Sequence, residues 1–282
     1  MRALKRIRGN KSYFYLQQSL RKNGKVITKE KYLGTSIPEN IMSRKESFKK
    51  ELQKDLFQKF SIVQKGFWQN WSRLPETVKE KELEEIAIAF TYNTNAIEGS
   101  TITLAETREI VHSNLSPHKS LRDVQETQAH SRLFLSILKE KQLVTKELLL
   151  AWHIALFGQT KPDIAGTFRD YLVRVGDYVA PDWQDVESLL NLLTRFIAKN
   201  KLHPIELAAL VHYRFEKIHP FGDGNGRIGR LLMNYLLWHH HYPMLIIEFK
   251  KRNSYYAALR RDEDGFVQYF FRRYLAVHKS KV

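Results

Sequence analysis

Cysteine does not occur anywhere in this 282-residue chain. Disulfide staples, thiol nucleophiles and cysteine-ligated metals are therefore excluded, and burial has to hold the fold together. Long apolar runs are also missing, and a membrane-spanning helix needs about 18 such residues in a row. The opening MRALKRIRGNKSYF has no apolar centre of signal-peptide length. A soluble chain in a reducing cytoplasm is the expectation. Acidic residues are scarce as well: 30 Asp+Glu against 46 Lys+Arg leave a formal charge of +16. The surplus is uneven, since residues 1–60 hold 16 Lys/Arg against 5 Asp/Glu. Such a block suits a nucleic acid or an acidic partner, and equally a solvated face with no partner.

What is present is apolar periodicity, with 43% hydrophobic residues, enough for a substantial core. Ser12–Tyr15 and Lys25–Leu33 are rich in aromatic and β-branched residues, and Asn23-Gly24 between them signals a hairpin. A small basic sheet of two or three strands is expected there, followed by a linker at Thr35–Asn40. From Ile41 the pattern turns helical, with Phe48, Leu52, Leu56, Phe57 and Phe60 at three- and four-residue spacings. Pro75 interrupts it and a second helix is expected from Glu76 to Thr94. Thr103 with Glu106 reads as a capping box. Further helices are predicted over 121–139, 145–157, 184–199 and 205–218, with Pro181-Asp182 and Pro204 at helix starts. Tyr171–Val179 (YLVRVGDYV) reads instead as a β-hairpin turning at Gly176-Asp177.

The chemistry concentrates in Ile218–Met233, IHPFGDGNGRIGRLLM. Glycines at 222, 224 and 226 let backbone N–H groups converge as an anion nest, and the helix that follows adds the positive end of its dipole. Asp223 is a hard oxygen ligand suited to magnesium between phosphates. Arg227 and Arg230, three apart, are expected to reach phosphate oxygens as a fork. Asn225 has an amide to hold the loop or donate to a phosphoryl oxygen. His219 stands just ahead of the nest, where a base can take the proton of an attacking hydroxyl. A plain helix–helix turn needs neither the two arginines nor the Asp–Asn pair.

HPFGDGNGRIGR at 219–230 resembles the signature of Fic-domain proteins, His-x-Phe-x-Asp/Glu-Gly-Asn-Gly-Arg-x-x-Arg, at every defined position. The resemblance implies a mainly α fold, a helical Fic core with a β-hairpin flap, here joined to the small N-terminal β-sheet. It implies AMP transfer from Mg2+-ATP to a Tyr, Ser or Thr hydroxyl of a target protein. His219 would be the base and Asp223 the metal ligand. Phe221, Gly224, Asn225, Gly226 and Arg227 would hold the phosphates, and Arg230 the γ-phosphate. Gly166–Arg169 and the 171–179 hairpin are similar to the family's target-docking flap, with Val173, Arg174 and Val175 as its edge. Asn253–Leu259 resembles the segment lining the adenine site, with Tyr256 as the stacking residue. The domain reading is then a basic sheet at 1–40, a helical region at 41–140 and a catalytic core at 141–278.

Thr94–Gly99 (TNAIEG) resembles the Ser/Thr-x-x-x-Glu-Gly/Asn inhibitory motif of the family, in the class with an upstream inhibitory helix. Thr94, Glu98 and Gly99 would then form a brake: Glu98 paired with Arg230 withdraws it from the γ-phosphate. The ordinary alternative is a helix-end carboxylate capped by glycine. Three other readings stay open. A phosphotransferase relative is disfavoured by Gly226 and Arg230. Removal of AMP from a modified protein would use Glu98 to orient water. A nucleic-acid-binding regulator would read DNA with residues 1–60, although the end at Val282 is not expected to leave room for a following winged helix. The resemblance also implies self-modification and a homodimer. His239-His240-His241 and His203 are expected to be structural, and Met233, Tyr235, Leu236 and Trp238 to be core.

Overall fold

Three strands and a long helix open the computed structural model, which describes residues 1–22, 25–113, 115 and 117–278. Strands β1 (Arg2–Arg8), β2 (Lys11–Lys22) and β3 (Lys25–Gly34) form an antiparallel sheet in the order β1-β2-β3. Arg8 pairs with Lys11, so β1 and β2 are joined by a two-residue turn in which Gly9 takes φ +58°. The sequence reading had not located β1. Asn23-Gly24, the expected hairpin turn, lies outside the described residues. Helix α1 (Ile41–Arg73) follows, and Phe48 at its start is buried with Leu16 and Leu33 of the sheet. The first compact unit runs from Met1 to Lys59 and so includes the opening of α1, whereas the sequence reading drew a limit at 40.

The second unit, Phe60–Val282, is helical. Helix α2 (Glu76–Ile97) starts behind Pro75 and runs past Thr94 to Ile97, one turn further than expected. Helix α3 (Leu104–His112) begins with the predicted capping box: Thr103 Oγ1 accepts from the Glu106 N–H, and the Glu106 carboxylate accepts from the Thr103 N–H. Helices α4 (Leu121–Lys139) and α5 (Lys146–Phe157) start behind Ser120 and Thr145, whose hydroxyls accept from backbone N–H groups of the first turn. The strands β4 (Arg174–Val175) and β5 (Tyr178–Val179) come next. Helices α6 (Val186–Lys199) and α7 (Pro204–Ile218) follow, the second with Pro204 in its first turn and His203 as its cap. His203 is thus a helix-start residue, its ring accepting from the Ile205 N–H at 3.3 Å.

Helix α8 (Asn225–His239) is the centre of the core. Ile228, Leu231, Leu232, Met233 and Leu237 are fully buried, and α2, α4, α5 and α7 pack around it. Tyr235 and Leu236 are buried beside them, as the periodicity implies, and the Trp238 indole donates to the Leu138 carbonyl at 3.0 Å. Helices α9 (Arg252–Leu259) and α10 (Glu263–Val277) close the chain, α10 laying Phe266, Phe270 and Phe271 into the core. No helix among the described residues is long and apolar enough to cross a membrane. Thr103→Ala removes the cap of α3, which packs on α2. It should cost about 1 kcal/mol, measured as a fall in urea midpoint at unchanged slope; an unchanged midpoint would show that α3 does not depend on its box.

Candidate active site

Helix α7 ends in an unusual residue. His219 takes φ 51° and ψ 60°, the left-handed region that an L side chain occupies at a cost of roughly 1–2 kcal/mol. Two contacts hold it there: its N–H donates to the Phe215 carbonyl at 2.9 Å, and its own carbonyl accepts from Arg169 Nε at 2.8 Å. Arg169 is 4% exposed and also donates to the carbonyls of Tyr171 (2.7 Å) and Pro181 (2.6 Å). One guanidinium therefore satisfies the open end of α7 and both roots of the hairpin. The imidazole of His219 has Nδ1 3.3 Å from the Glu216 carbonyl. A carbonyl only accepts, so Nδ1 carries the proton and the Nε2 lone pair is the basic one. Burial depresses the His219 pKa, against the Glu216 carbonyl bond that raises it, so the ring is neutral at pH 7.

The loop then closes on itself. Asn225 accepts from the Phe221 N–H and donates to the Phe221 carbonyl, both at 2.8 Å, so its amide holds the loop. The Phe221 ring is fully buried and stacks on His153 at 4.0 Å between centroids. Its side chain, expected among the nucleotide contacts, is instead the anchor of the loop in the core. His153 Nδ1 accepts from the Gly166 N–H and its Nε2 donates to the Asp223 carbonyl, each at 3.0 Å, which sets one neutral tautomer and ties α5 to the loop. Gly224 caps α8 with φ +81°, a conformation that L side chains rarely adopt. Gly226 is required for room: a Cβ there would run into the Glu98 carboxylate.

The charges around the loop are paired, and the two arginines diverge instead of forming one fork. Arg227 meets the buried Glu126 of α4 and lies 3.5 Å from Asp223. Lys161 ion-pairs with Asp223 and lies 3.0 Å from Glu126. Both cations cover the Phe157 ring, at 4.4 and 4.5 Å from its centroid. Burial raises the Asp223 pKa but the Lys161 hydrogen bond and the Arg227 charge outweigh it, so the carboxylate is held ionised. These groups, with Asn95, Glu98 and Arg122, line a pocket of about 390 Å³ whose walls are charged and polar. Arg230, 1% exposed, turns the other way. Its Nε donates to Thr94 Oγ1 at 2.6 Å and its Nη2 to Glu98 Oε1, also at 2.6 Å. Glu98 occupies the C-cap of α2, and Gly99 follows with φ +93°, so the helix-end geometry and the ion pair coexist. Tyr256 of α9 donates its hydroxyl to the Ile97 carbonyl at 3.1 Å, and the residue is 36% exposed.

The hairpin is shorter than expected. Only Arg174–Val175 and Tyr178–Val179 pair, with Ala180 N–H donating to the Val173 carbonyl; Tyr171 and Leu172 are exposed and unstranded.

A profile of the Fic/DOC family matches residues 143–237. The chain carries a Fic-family domain. It is 35% identical over 201 residues to a protein adenylyltransferase Fic from Nematostella vectensis, covering 68% of this chain and 47% of that protein. The corresponding protein from Aedes aegypti is 33% identical over 197 residues, covering 67% and 40%. The chain thus spans less than half the length of these curated relatives. Fic-1 from C. elegans has a similar structure, with a TM-score of 0.70 at 25% identity over 85% of this chain and 74% of that one. A Fic domain-containing signalling protein from Bacteroides thetaiotaomicron gives 0.65 at 25%, over 77% and 95%.

Around the loop, sequence reasoning missed Glu126, His153 and Lys161. None sits in a motif, and each acts through a partner far along the chain; the nearest signal was His153 in the otherwise apolar LLLAWHIALF, whereas Glu126 and Lys161 lie in polar stretches. It also missed a buried trio beside Arg230. His212 Nε2 bonds the Tyr255 hydroxyl at 2.8 Å, and burial lifts the neighbouring Glu216 carboxyl to about 7. Arg169→Ala would strand the carbonyls at the end of α7. A loss of about 3 kcal/mol is expected, since bonds from a charged donor are replaced by buried acceptors without partners. Urea unfolding measures it, and a loss below about 0.5 kcal/mol, the range of a neutral surface change, would mean that other contacts hold the turn.

Proposed function

We propose that this Fic domain transfers AMP from ATP to a Tyr, Ser or Thr hydroxyl of a target protein, and that Glu98 restrains it. The observation that carries the reading is a neutral His219, with its Nε2 lone pair available, directly upstream of the N-terminus of α8. Nucleotidyl transfer demands little covalent chemistry of a protein; it demands a base, an in-line geometry and positive charge around the phosphates. In the proposed step the hydroxyl oxygen bonds to the α-phosphorus and its proton passes to His219 Nε2. The bond from that phosphorus to the bridging oxygen breaks, and pyrophosphate leaves.

The N–H groups of Gly224, Asn225 and Gly226 would anchor the phosphates at the positive end of the helix dipole, the Gly224 N–H giving up the Asp223 carboxylate it now holds. Arg227 and Lys161 take the outer phosphates, exchanging Glu126 and Asp223 for stronger anions. Glu126 holds Arg227 at the pocket wall while the site waits. The residues fit a divalent cation: Asp223 is an ionised hard-oxygen ligand on the pocket, and one carboxylate plus phosphate oxygens is the usual magnesium set. When bound there, magnesium would neutralise phosphate charge. Tyr256 of α9, whose hydroxyl is bonded to the end of α2, is the proposed adenine contact. The edge Val173–Val175 is the proposed docking strand for a target segment. In this reading residues 141–278 are the catalytic core and 41–140 the region that carries the brake.

The brake follows from charge. With Arg230 held by Glu98 and Thr94, the γ-phosphate lacks its partner, and the carboxylate stands where Gly226 leaves space. Such a charge-assisted bond is worth about 1.5–3 kcal/mol, or on the order of ten- to hundred-fold in rate. Incubation with α-labelled ATP and magnesium tests the whole reading. Glu98→Gly should raise self-labelling by that factor, and Arg230→Ala should not. His219→Ala should abolish labelling while nucleotide binding stays within a few-fold. Because burial lowers the His219 pKa, the base stays unprotonated to lower pH, and the acid limb of kcat/KM should have its midpoint below 6.5. Flat labelling in Glu98→Gly would refute the brake. If the same variant lost the removal of AMP from a modified protein, Glu98 would be assigned to hydrolysis instead. Asp223→Ala should lose magnesium stimulation of the label rate; a variant that magnesium stimulates as strongly as wild type would move the cation elsewhere.

A further inference from the structure

The basic N-terminal sheet has one face packed and one face open. Phe14, Leu16 and Leu33 are packed with Ile41, Phe48 and Leu52 of α1, which defines the covered side. Side chains alternate along a strand, and the register then assigns the opposite face without ambiguity. Across β1 and β2 that face pairs Arg2 with Gln17, Arg6 with Tyr13 and Arg8 with Lys11. Across β2 and β3 it pairs Gln17 with Glu30 and Tyr15 with Tyr32. Three arginines and a lysine therefore stand on one side of the edge hairpin, all exposed, with Arg2 and Arg8 about 20 Å apart along the strand.

These side chains are ordered by one another. Arg2 Nε donates to Gln17 Oε1 at 2.8 Å, Gln17 Nε2 donates to Glu30 Oε1 at 2.8 Å, and Arg6 meets the same carboxylate oxygen at 2.7 Å. The Arg6 guanidinium lies 5.0 Å from the Tyr15 ring centroid, and Tyr15 packs on Tyr32 at 5.3 Å. The network costs conformational freedom in advance and leaves arginine and glutamine heads aligned on a rigid sheet. Glu30 is the carboxylate on this face among the described residues, and it works as the clamp of the network.

The geometry points to double-stranded DNA as the occupant of this face. The surplus of positive charge in residues 1–59 matches a polyanion, and the arginines are spread along a line as backbone phosphates are. Three strands about 4.8 Å apart make a ribbon roughly 10 Å wide, which enters a B-form major groove about 12 Å wide. Arginine and glutamine are the side chains that pair with the guanine and adenine edges displayed there. The A-form major groove is too narrow for such a ribbon. Single strands are bound on rows of free aromatic faces, and here Tyr15 lies between Arg6 and Tyr32, which leaves Tyr32 half exposed beside it.

Fluorescence anisotropy of a labelled 20-base-pair random duplex, titrated with the full chain between about 50 and 200 mM salt, tests the assignment. Wild type should bind, with affinity falling steeply as salt rises. Arg2→Ala with Arg8→Ala should weaken binding on the order of tenfold and lower the salt slope by about two. Lys50→Ala with Lys54→Ala, an equal charge change at exposed positions of α1, should leave both nearly unchanged. Glu30→Gln should tighten binding, by removing the one negative charge among the described residues of the face, and weaker binding counts against the assignment. Absence of binding at 50 mM salt overturns the proposal. So do equal losses in the two double variants, tighter binding of a single-stranded RNA of the same length, and equal competition by polyglutamate.

Discussion

Two helices meet end to end here, and a helix end carries unpaired backbone groups. The carbonyls that finish α7 and the N–H groups that start α8 fall within one short loop. The fold treats the two ends differently. Arg169 covers the carbonyls from a loop fifty residues upstream, and Asn225 clamps the Phe221 peptide. At the start of α8 the Gly224 N–H donates to the Asp223 carboxylate, and an anion is the natural complement of such a helix start. The left-handed His219 is the hinge of this arrangement. Its strain is tolerated because bonds on both sides of the residue hold the backbone in place.

The pocket is electrostatically full of its own charges. Glu126 and Asp223 engage Arg227 and Lys161, while Glu98 engages Arg230. Buried cations without partners would be costly, so the carboxylates keep the arginines folded in place. In the proposed reaction the same carboxylates would compete with an entering phosphate, so that one set of contacts would both hold the site together and set a threshold for its use. Gly226 belongs to that set, since its missing Cβ is the space into which the Glu98 carboxylate reaches.

Most helices were legible, α9 and α10 excepted: the predicted stretch 121–139 is α4 residue for residue, and the capping box at Thr103 is present in full. These features are local, because periodicity and caps depend on neighbours within a few positions. The loop residues His219, Asp223, Asn225, Arg227 and Arg230 were legible for the same reason, being close in sequence. The 171–179 hairpin was over-read because strand character there measures β-branched content, whereas the ladder length depends on what the hairpin packs against.

Partners were a different matter. Arg227 and Arg230 look alike in sequence, three positions apart on one helix, and only the tertiary structure sends them to different sides. Glu126 reaches Arg227 across 101 positions and Glu98 reaches Arg230 across 132. The tautomer of His219, the burial of Phe221 and the capture of Asp223 by Lys161 are equally invisible along the chain. Sequence determined which groups the loop holds and that a helix N-terminus would follow them. Three-dimensional packing decided which charge each group faces, because desolvation and ion pairing depend on distances that separation in sequence does not constrain.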